Sequence, residues 1–264
     1  MPPVLRPTDR SFPATAPTDP AAPRAILDND WSAFTALTRM TDHWDRPGWT
    51  PSHRAYYWML LPRTPDLTAL TRRCQQHLVP LRLDPIPDDG LHITLSKIGN
   101  RTDVTPEQVA GLARTVAEHV PRAFTLSAHP LTGSRGAVRY SLTPWTPLLH
   151  LHTLLDAAAR HHGLPTARPT AHFRPHLGIA YNNRERDARP VIDAVAELRT
   201  LPALPLSIGR AELVELRREG RTYRWNLLHT AHLVPCTPAQ PGRPAAGPGS
   251  RPPSGPERAR SGGG

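Results

Sequence analysis

The sequence LHITL occupies residues 91–95, and the sequence FRPHLGIAY occupies residues 173–181. In both stretches apolar residues alternate with polar or small ones, which is typical of a β-strand with two different faces. Alternation places His92 and Thr94 on one face of the first strand and His176 on the matching face of the second. Each strand is therefore predicted to offer an imidazole to one surface while its other face enters the core.

The surroundings of these two strands suggest a duplication. A strand that begins near Tyr56 leads through a helix at 66–77 to the strand of His92. A strand that begins near Val138 leads through a helix at 146–162 to the strand of His176, over a similar length of chain. Two such units indicate a duplicated domain in which the histidine strands face each other.

The rest of the sequence completes this pattern. Further strands are predicted at 55–61, 91–98, 124–131, 137–142, 176–181, 206–216 and 222–233, and further helices at 105–119 and 187–198. The fold class is α+β, a duplicated two-lobed antiparallel-sheet fold with helices on the outer faces and a central groove. An amphipathic helix is predicted at 28–44, ahead of both units.

Composition sets the expected domain limits. Residues 1–27 are rich in Pro and Ala, and residues 234–264 are rich in Pro, Gly and Arg, so both are predicted to be disordered tails. The folded domain is then expected to span 28–233. The formal net charge of +10 is compatible with a polyanionic partner, although part of it comes from the C-terminal tail.

Several other functional classes find no support. Two cysteines, Cys74 and Cys236, give no disulfide framework and no cysteine metal site. The adjacent pair His161 and His162 lacks a carboxylate at ligand spacing, so no metal is expected. With no signal peptide and no apolar run long enough to span a membrane, we expect a cytoplasmic protein, and a monomer.

The two histidine strands resemble the signature of the two-histidine (2H) phosphoesterase superfamily, His-x-Thr/Ser-x in each half of a duplicated α+β domain. The lead-in Phe-Arg-Pro-His before His176 is similar to the 2'-5' RNA ligase (LigT-like) family of bacterial type. This resemblance implies metal-independent chemistry without a cofactor on 2',3'-cyclic phosphate ends of RNA or on small nucleotides. His92 and His176 are then the catalytic pair, with Thr94, Gly178 and Arg174 as substrate-binding residues.

Histidine suits this role because its ordinary pKa of about 6.5 allows it to act as acid or base near neutrality. The sequence does not assign the two roles, and it leaves RNA and small nucleotides open as partners. Arg174 is expected to hold phosphate charge, whereas Lys97 is expected to point away from the groove if its strand is regular.

One position departs from the family pattern. Gly178 stands where the second motif has Thr or Ser, so one hydroxyl donor for phosphate is missing. A lost hydrogen bond to a charged group costs about 1.5–3 kcal/mol, which would slow an enzyme without abolishing its chemistry. The alternative is an RNA- or nucleotide-binding module whose site is weakened or inactive.

Overall fold

The computed structural model describes residues 4–45, 49–50, 52–164 and 168–235. The helices are α1 (Pro23–Thr35), α2 (Pro65–Leu78), α3 (Pro106–His119), α4 (Thr146–His161) and α5 (Arg189–Leu198). Every one of them has a proline in its first turn, where the missing N–H would have no partner in the helix anyway. In α3 the side chains of Thr105 and Gln108 also form a capping box. None of the described helices is long and apolar enough to cross a membrane.

Eleven strands are formed by the described residues. They are β1 (Arg39–Met40), β2 (Arg54–Leu60), β3 (Asp84–Pro85), β4 (Ile93–Asn100), β5 (Phe124–Ser134), β6 (Ala137–Thr143), β7 (Leu177–Tyr181), β8 (Arg186–Asp187), β9 (Leu204–Ile208), β10 (Arg210–Glu219) and β11 (Thr222–His232). The first lobe is a four-stranded sheet in the order β11-β10-β2-β4. The second lobe is a five-stranded sheet in the order β3-β7-β6-β5-β9, and β1 pairs with β8. Each pair of neighbouring strands runs antiparallel.

The predicted α+β fold and its duplication are confirmed. In the first lobe β4 pairs with β2, and β2 pairs on its other side with β10; in the second lobe β7, β6 and β5 repeat that arrangement. Each histidine strand is joined to its neighbouring strand through a helix, α2 in the first half and α4 in the second. The repeat therefore places the residues around His92 and His176 at matching positions of two similar sheets.

The two connecting helices pack on the opposite lobes. Helix α2 lies against β7 and α5, where Gln75 donates hydrogen bonds of 2.8 Å to the carbonyl oxygens of Ile86 and Ile179. Helix α4 lies against β4 and α3. The core is therefore continuous from one sheet to the other.

The N-terminal region differs from the prediction. The first helix begins at Pro23 instead of residue 28 and ends at Thr35, after which the chain continues into β1. Residues 4–22, which lie in the predicted tail, pack on the second lobe. Arg6 N–H donates to the carbonyl of Ala171, and the Ser11 hydroxyl donates to that of His172. These contacts come from residues far apart in the sequence, so composition gave no sign of them.

The C-terminal prediction is tested only at its start. Val234 still belongs to the fold, because its backbone bonds to Pro121 and Ala123. Most of the predicted tail, 236–264, lies outside the described residues, and so does Cys236.

Candidate active site

The first histidine motif enters β4 at the edge of its lobe. Thr94 pairs with Met59 of β2, and Lys97 pairs with Tyr57. Since Met59 and Tyr57 are two residues apart on one strand, their side chains share a face, and so do those of Thr94 and Lys97. Residues three apart on a regular strand would face opposite sides, but a register shift between these pairs adds one extra residue to β4 and returns Lys97 to the face of Thr94.

The structure thus corrects the expectation for Lys97. A regular strand would turn its side chain away from Thr94, but the bulge in β4 brings both to the same surface. We call this surface of the first lobe, and the corresponding surface that carries His176 in the second, the motif faces. The Lys97 ammonium donates a 2.8 Å hydrogen bond to the side chain of Asn100. Nothing in the sequence marks the bulge.

The His92 ring is oriented by its own backbone. Its Nδ1 lies 2.8 Å from the carbonyl oxygen of Gly90. Because a carbonyl only accepts, Nδ1 carries the proton, and in the neutral ring Nε2 is left with a free lone pair. The indole of Trp225 lies edge-on to this ring, with 5.5 Å between the ring centroids.

The His176 ring is held in the same way. Its Nδ1 lies 3.0 Å from the carbonyl oxygen of Arg174, again two residues earlier in the chain. The duplicated fold therefore repeats the orientation of the imidazole as well as the strand that carries it. Both rings are fixed as Nδ1–H tautomers, so both direct Nε2 away from the backbone.

The pKa values of both imidazoles are lowered. Burial among protein atoms disfavours the charged form and lowers the pKa of His92, although the bond to the Gly90 carbonyl opposes this. The same desolvation, together with the positive charge of Arg139, lowers the pKa of His176 to about 3. The side chain of His176 is nevertheless open to solvent. Such a ring has protein on most sides and solvent at one edge, as in the wall of a groove.

The two motifs supply one hydroxyl where the family pattern has two. Thr94 is half-buried, and no described residue receives a hydrogen bond from its hydroxyl. Gly178 occupies the matching place in β7, and a Cβ atom built there would lie 3.1 Å from Cδ1 of Ile86. The space beside Gly178 is thus partly filled by an apolar side chain from the other half.

Arg174 does not have the surroundings of a phosphate clamp, contrary to the prediction. Its side chain is 2% exposed. The guanidinium donates to the backbone carbonyls of Arg6, Pro13, Thr15, Ala171 and Phe173, at 2.7–3.3 Å. Three of these carbonyls belong to the N-terminal segment, so Arg174 anchors that segment beside His176.

The second motif face carries another buried charge. Arg139 of β6 pairs with Gly178 across the sheet, and its guanidinium lies 3.2 Å from the carboxylate of Asp30 in α1. Burial raises the pKa of Asp30, while the nearby Arg139 partly offsets that effect. The ion pair is therefore a buried link between α1 and the sheet of His176.

No group of three or more His, Cys, Asp or Glu side chains suited to a metal ion occurs among the described residues. In particular, the ring of His162 accepts or donates a hydrogen bond with Thr115 and lies near Gly111. The two motifs supply two imidazoles and one hydroxyl.

Comparison with known protein families decides the classification of this fold. The family model of the 2'-5' RNA ligase superfamily matches residues 62–220, which is more than half of the chain. The chain belongs to the 2'-5' RNA ligase superfamily. The predicted recognition of a LigT-like two-histidine phosphoesterase is confirmed, and membership places the protein among the phosphoesterases.

Solved structures share this superfamily fold. A phosphoesterase structure is 17% identical with a TM-score of 0.54 and covers 69% of this chain and 99% of its own. LigT of E. coli in complex with 3'-AMP is 18% identical with a TM-score of 0.53, again covering 69% and 99%. A protein of Thermus thermophilus is 16% identical with a TM-score of 0.52, covering 68% and 97%. No curated protein matches the chain in sequence.

The superfamily match begins only at residue 62. Residues 4–35, including Asp30 and the contacts to Arg174, therefore precede the part of the chain that the family model describes.

Proposed function

We propose that this protein is a metal-independent phosphoesterase that opens 2',3'-cyclic phosphate ends of RNA or of small nucleotides. The observation that carries the proposal is the matched pair of imidazoles. His92 and His176 each bond through Nδ1 to a backbone carbonyl two residues earlier, which leaves each Nε2 for chemistry. LigT of E. coli has been solved in complex with 3'-AMP, NADP+, ATP and phosphate, which supports a nucleotide or phosphate ligand here.

The reaction needs one imidazole in each protonation state. A neutral Nε2 takes a proton from water as the water oxygen attacks phosphorus. The protonated Nε2–H of the other ring donates to the sugar oxygen as the P–O bond breaks, so the ring strain is released and a phosphomonoester forms. In this proposal the hydroxyl of Thr94, on the first motif face, donates to a non-bridging oxygen.

Because both pKa values are lowered, the bound substrate is needed to bring one imidazole into its protonated form. Without a ligand, desolvation keeps the His176 ring neutral at pH 7, and it lowers the pKa of His92 as well. An anionic phosphate beside the rings stabilises the imidazolium form, so its arrival raises the pKa of the ring that becomes the acid. Binding is then accompanied by uptake of a proton.

Purified protein, incubated with a nucleoside 2',3'-cyclic phosphate and EDTA, tests the proposal. We expect a phosphomonoester product at the same rate with and without EDTA. His92→Ala and His176→Ala should each lower kcat by ~10²- to 10⁴-fold, and the double variant should be little worse than either single variant. His119→Ala is the matched control, because His119 lies on the exposed end of α3. Restoration of lost activity by a divalent ion would contradict the proposed mechanism.

A binding module is the second candidate, and one observation favours it. Ile86 partly fills the space where a second motif hydroxyl would stand beside Gly178. A protein that binds adenosine phosphates tightly but converts no cyclic phosphate, with binding that survives His92→Ala, would establish this candidate and exclude the enzyme.

A further inference from the structure

The second motif face is covered by the N-terminal region of the chain. Asp30 of α1 accepts hydrogen bonds from Arg139 and from the hydroxyl of Ser141, at 3.2 and 2.7 Å. The hydroxyl of Thr132 donates to the backbone carbonyl of Asp30 at 3.3 Å. Arg139 pairs with Gly178 in the sheet, and Ser141 and Thr132 share its face. Asp30 of α1 therefore lies on the same side of the sheet as the second motif, whereas Phe34 of α1 lies against Gly133, whose partner Val138 faces the other side.

The segment before α1 continues this cover to the position next to His176. The guanidinium of Arg174, two residues before His176, is enclosed by the carbonyls of Arg6, Pro13 and Thr15. The ring of Phe12 lies under the guanidinium of Arg139, 5.6 Å from centroid to Cζ. His176 itself stays open to solvent. On the second lobe the ring of His176 is therefore accessible to a substrate, whereas most of the surface around it is covered.

The first motif face is open only along β11, because Met59 and Val214 on the same face are 0% exposed. Trp225 pairs with Leu216 and Leu227 pairs with Val214, which places both on the face of Thr94 and Lys97. Leu227 is 58% exposed, and Trp225 is half-buried against His92. The indole beside His92 and the exposed Leu227 give an apolar surface that suits a nucleoside attached to a phosphate.

We infer that residues 4–35 form a fixed wall on the second lobe that restricts the groove to a single nucleotide lying on the first lobe. The inference rests on the proposed function, since it concerns the substrate of the same two histidines. A longer RNA chain would have to continue from the phosphate over the second lobe, where the wall lies and where Arg174 is engaged by backbone carbonyls. Removal of the wall frees that guanidinium beside His176, where it can pair with a backbone phosphate.

The test compares two substrates that share one reacting group. One is adenosine 2',3'-cyclic phosphate, and the other is an oligoadenylate that ends in the same cyclic phosphate. The full chain should have the higher kcat/KM for the mononucleotide. Deletion of residues 1–19, which keeps α1 and the bond from Trp145 N–H to the Pro20 carbonyl, should raise relative kcat/KM for the oligonucleotide roughly tenfold or more. Deletion of 236–264 is the control and should leave the ratio unchanged.

Two further measurements keep the result decisive. Arg174→Met in the background of the 1–19 deletion should return the ratio to that of the full chain. If the deletion does not fold, the double variant Ser11→Ala, Phe12→Ala in the full chain loosens the same segment and should shift the ratio in the same direction. Equal kcat/KM for both substrates in the full chain, or an unchanged ratio when the segment is removed or loosened, overturns the wall.

Failure of the proposed function gives a different result. In that case no form of the protein converts either substrate. Affinities for adenosine monophosphate and for an oligoadenylate that ends in a phosphomonoester then replace kcat/KM, with the same expected change in their ratio. If residues 4–35 form the wall but the protein has no turnover, deletion of residues 1–19 still changes the ratio of the two affinities. If the wall does not exist, the deletion leaves that ratio unchanged.

Discussion

Replacing Gly178 by threonine restores the second motif hydroxyl, but the structure predicts a cost. The new Cβ would lie 3.1 Å from Cδ1 of Ile86, closer than ordinary van der Waals contact. Crowding a packed site typically costs 1–3 kcal/mol, and the flexible end of Ile86 places this case near about 1 kcal/mol. Threonine is the better strand former by up to ~1 kcal/mol, which offsets the crowding of Cβ. Its two γ atoms add further crowding beside Ile86, so we expect a net loss of about 1 kcal/mol.

The companion change Ile86→Val removes the opposing methyl group. Alone it should cost about 1 kcal/mol, because Ile86 is 3% exposed and leaves a small cavity. Combined with Gly178→Thr it should cost about 1 kcal/mol in total, not about 2, since each change relieves the other. Gly209→Thr is the matched glycine control, because nothing lies within 4 Å of a Cβ built there.

Urea unfolding of the four proteins measures this coupling, and kcat/KM for a cyclic phosphate measures what the hydroxyl contributes. We expect the double variant to exceed the wild-type kcat/KM, because the introduced threonine hydroxyl then donates to phosphate without displacing its neighbours. Strictly additive unfolding free energies would show that Ile86 and the side chain at position 178 do not compete for space. A double variant that is additive and also less active would refute the assignment of position 178 to the motif face.

Three other changes have expected outcomes. The affinity for sulfate, whose charge is constant between about pH 5 and 8, should rise up to tenfold per pH unit as pH falls. The reason is that the complex holds a proton on His92 or His176 that the free protein lacks. In a variant that lacks both imidazole rings, the affinity should not depend on pH. His152 is 1% exposed, and burial lowers its pKa from 6.5 to about 4. Because the unfolded chain binds a proton at this ring more readily than the folded protein, the free energy of unfolding falls as pH drops from about 6.5 towards 4. His152→Phe should reduce that slope by ~1.4 kcal/mol per pH unit in urea titrations, and an unchanged slope would contradict the burial of the ring. Asp30→Asn leaves the buried Arg139 charge unpaired and should lower the unfolding free energy by about 3–5 kcal/mol, whereas Asp30→Leu with Arg139→Met should cost clearly less; equal losses would argue against a buried ion pair.

Local signals in the sequence predicted most elements within a few residues. Helix α4 ends just before Gly163, whose φ of +68° suits glycine, and β10 turns into β11 at Gly220, with a φ of +58°. The alternation that identified the strands of His92 and His176 is also local. The predicted strand 206–216 is in fact two strands, β9 and β10, separated by Gly209.

Features that depend on distant parts of the chain were not predictable. The bulge in β4 depends on pairing with β2, so the face of Lys97 could not be read from its parity. The N-terminal segment looks like a tail by composition, yet its carbonyls satisfy Arg174 from more than a hundred and fifty positions away. The carbonyl partners of Arg174 were not visible in the sequence. The roles of His92, Thr94 and Gly178 stay predictions until activity is measured.

The reciprocal packing of α2 and α4 has a consequence for how the two halves of the molecule have evolved. Each half supplies the helix that shields the other half's histidine strand. Neither repeat could therefore exist as a free-standing ancestor in its present form, and a break between them would strip both sheets at once. Gene fission at the junction should therefore yield no autonomous half.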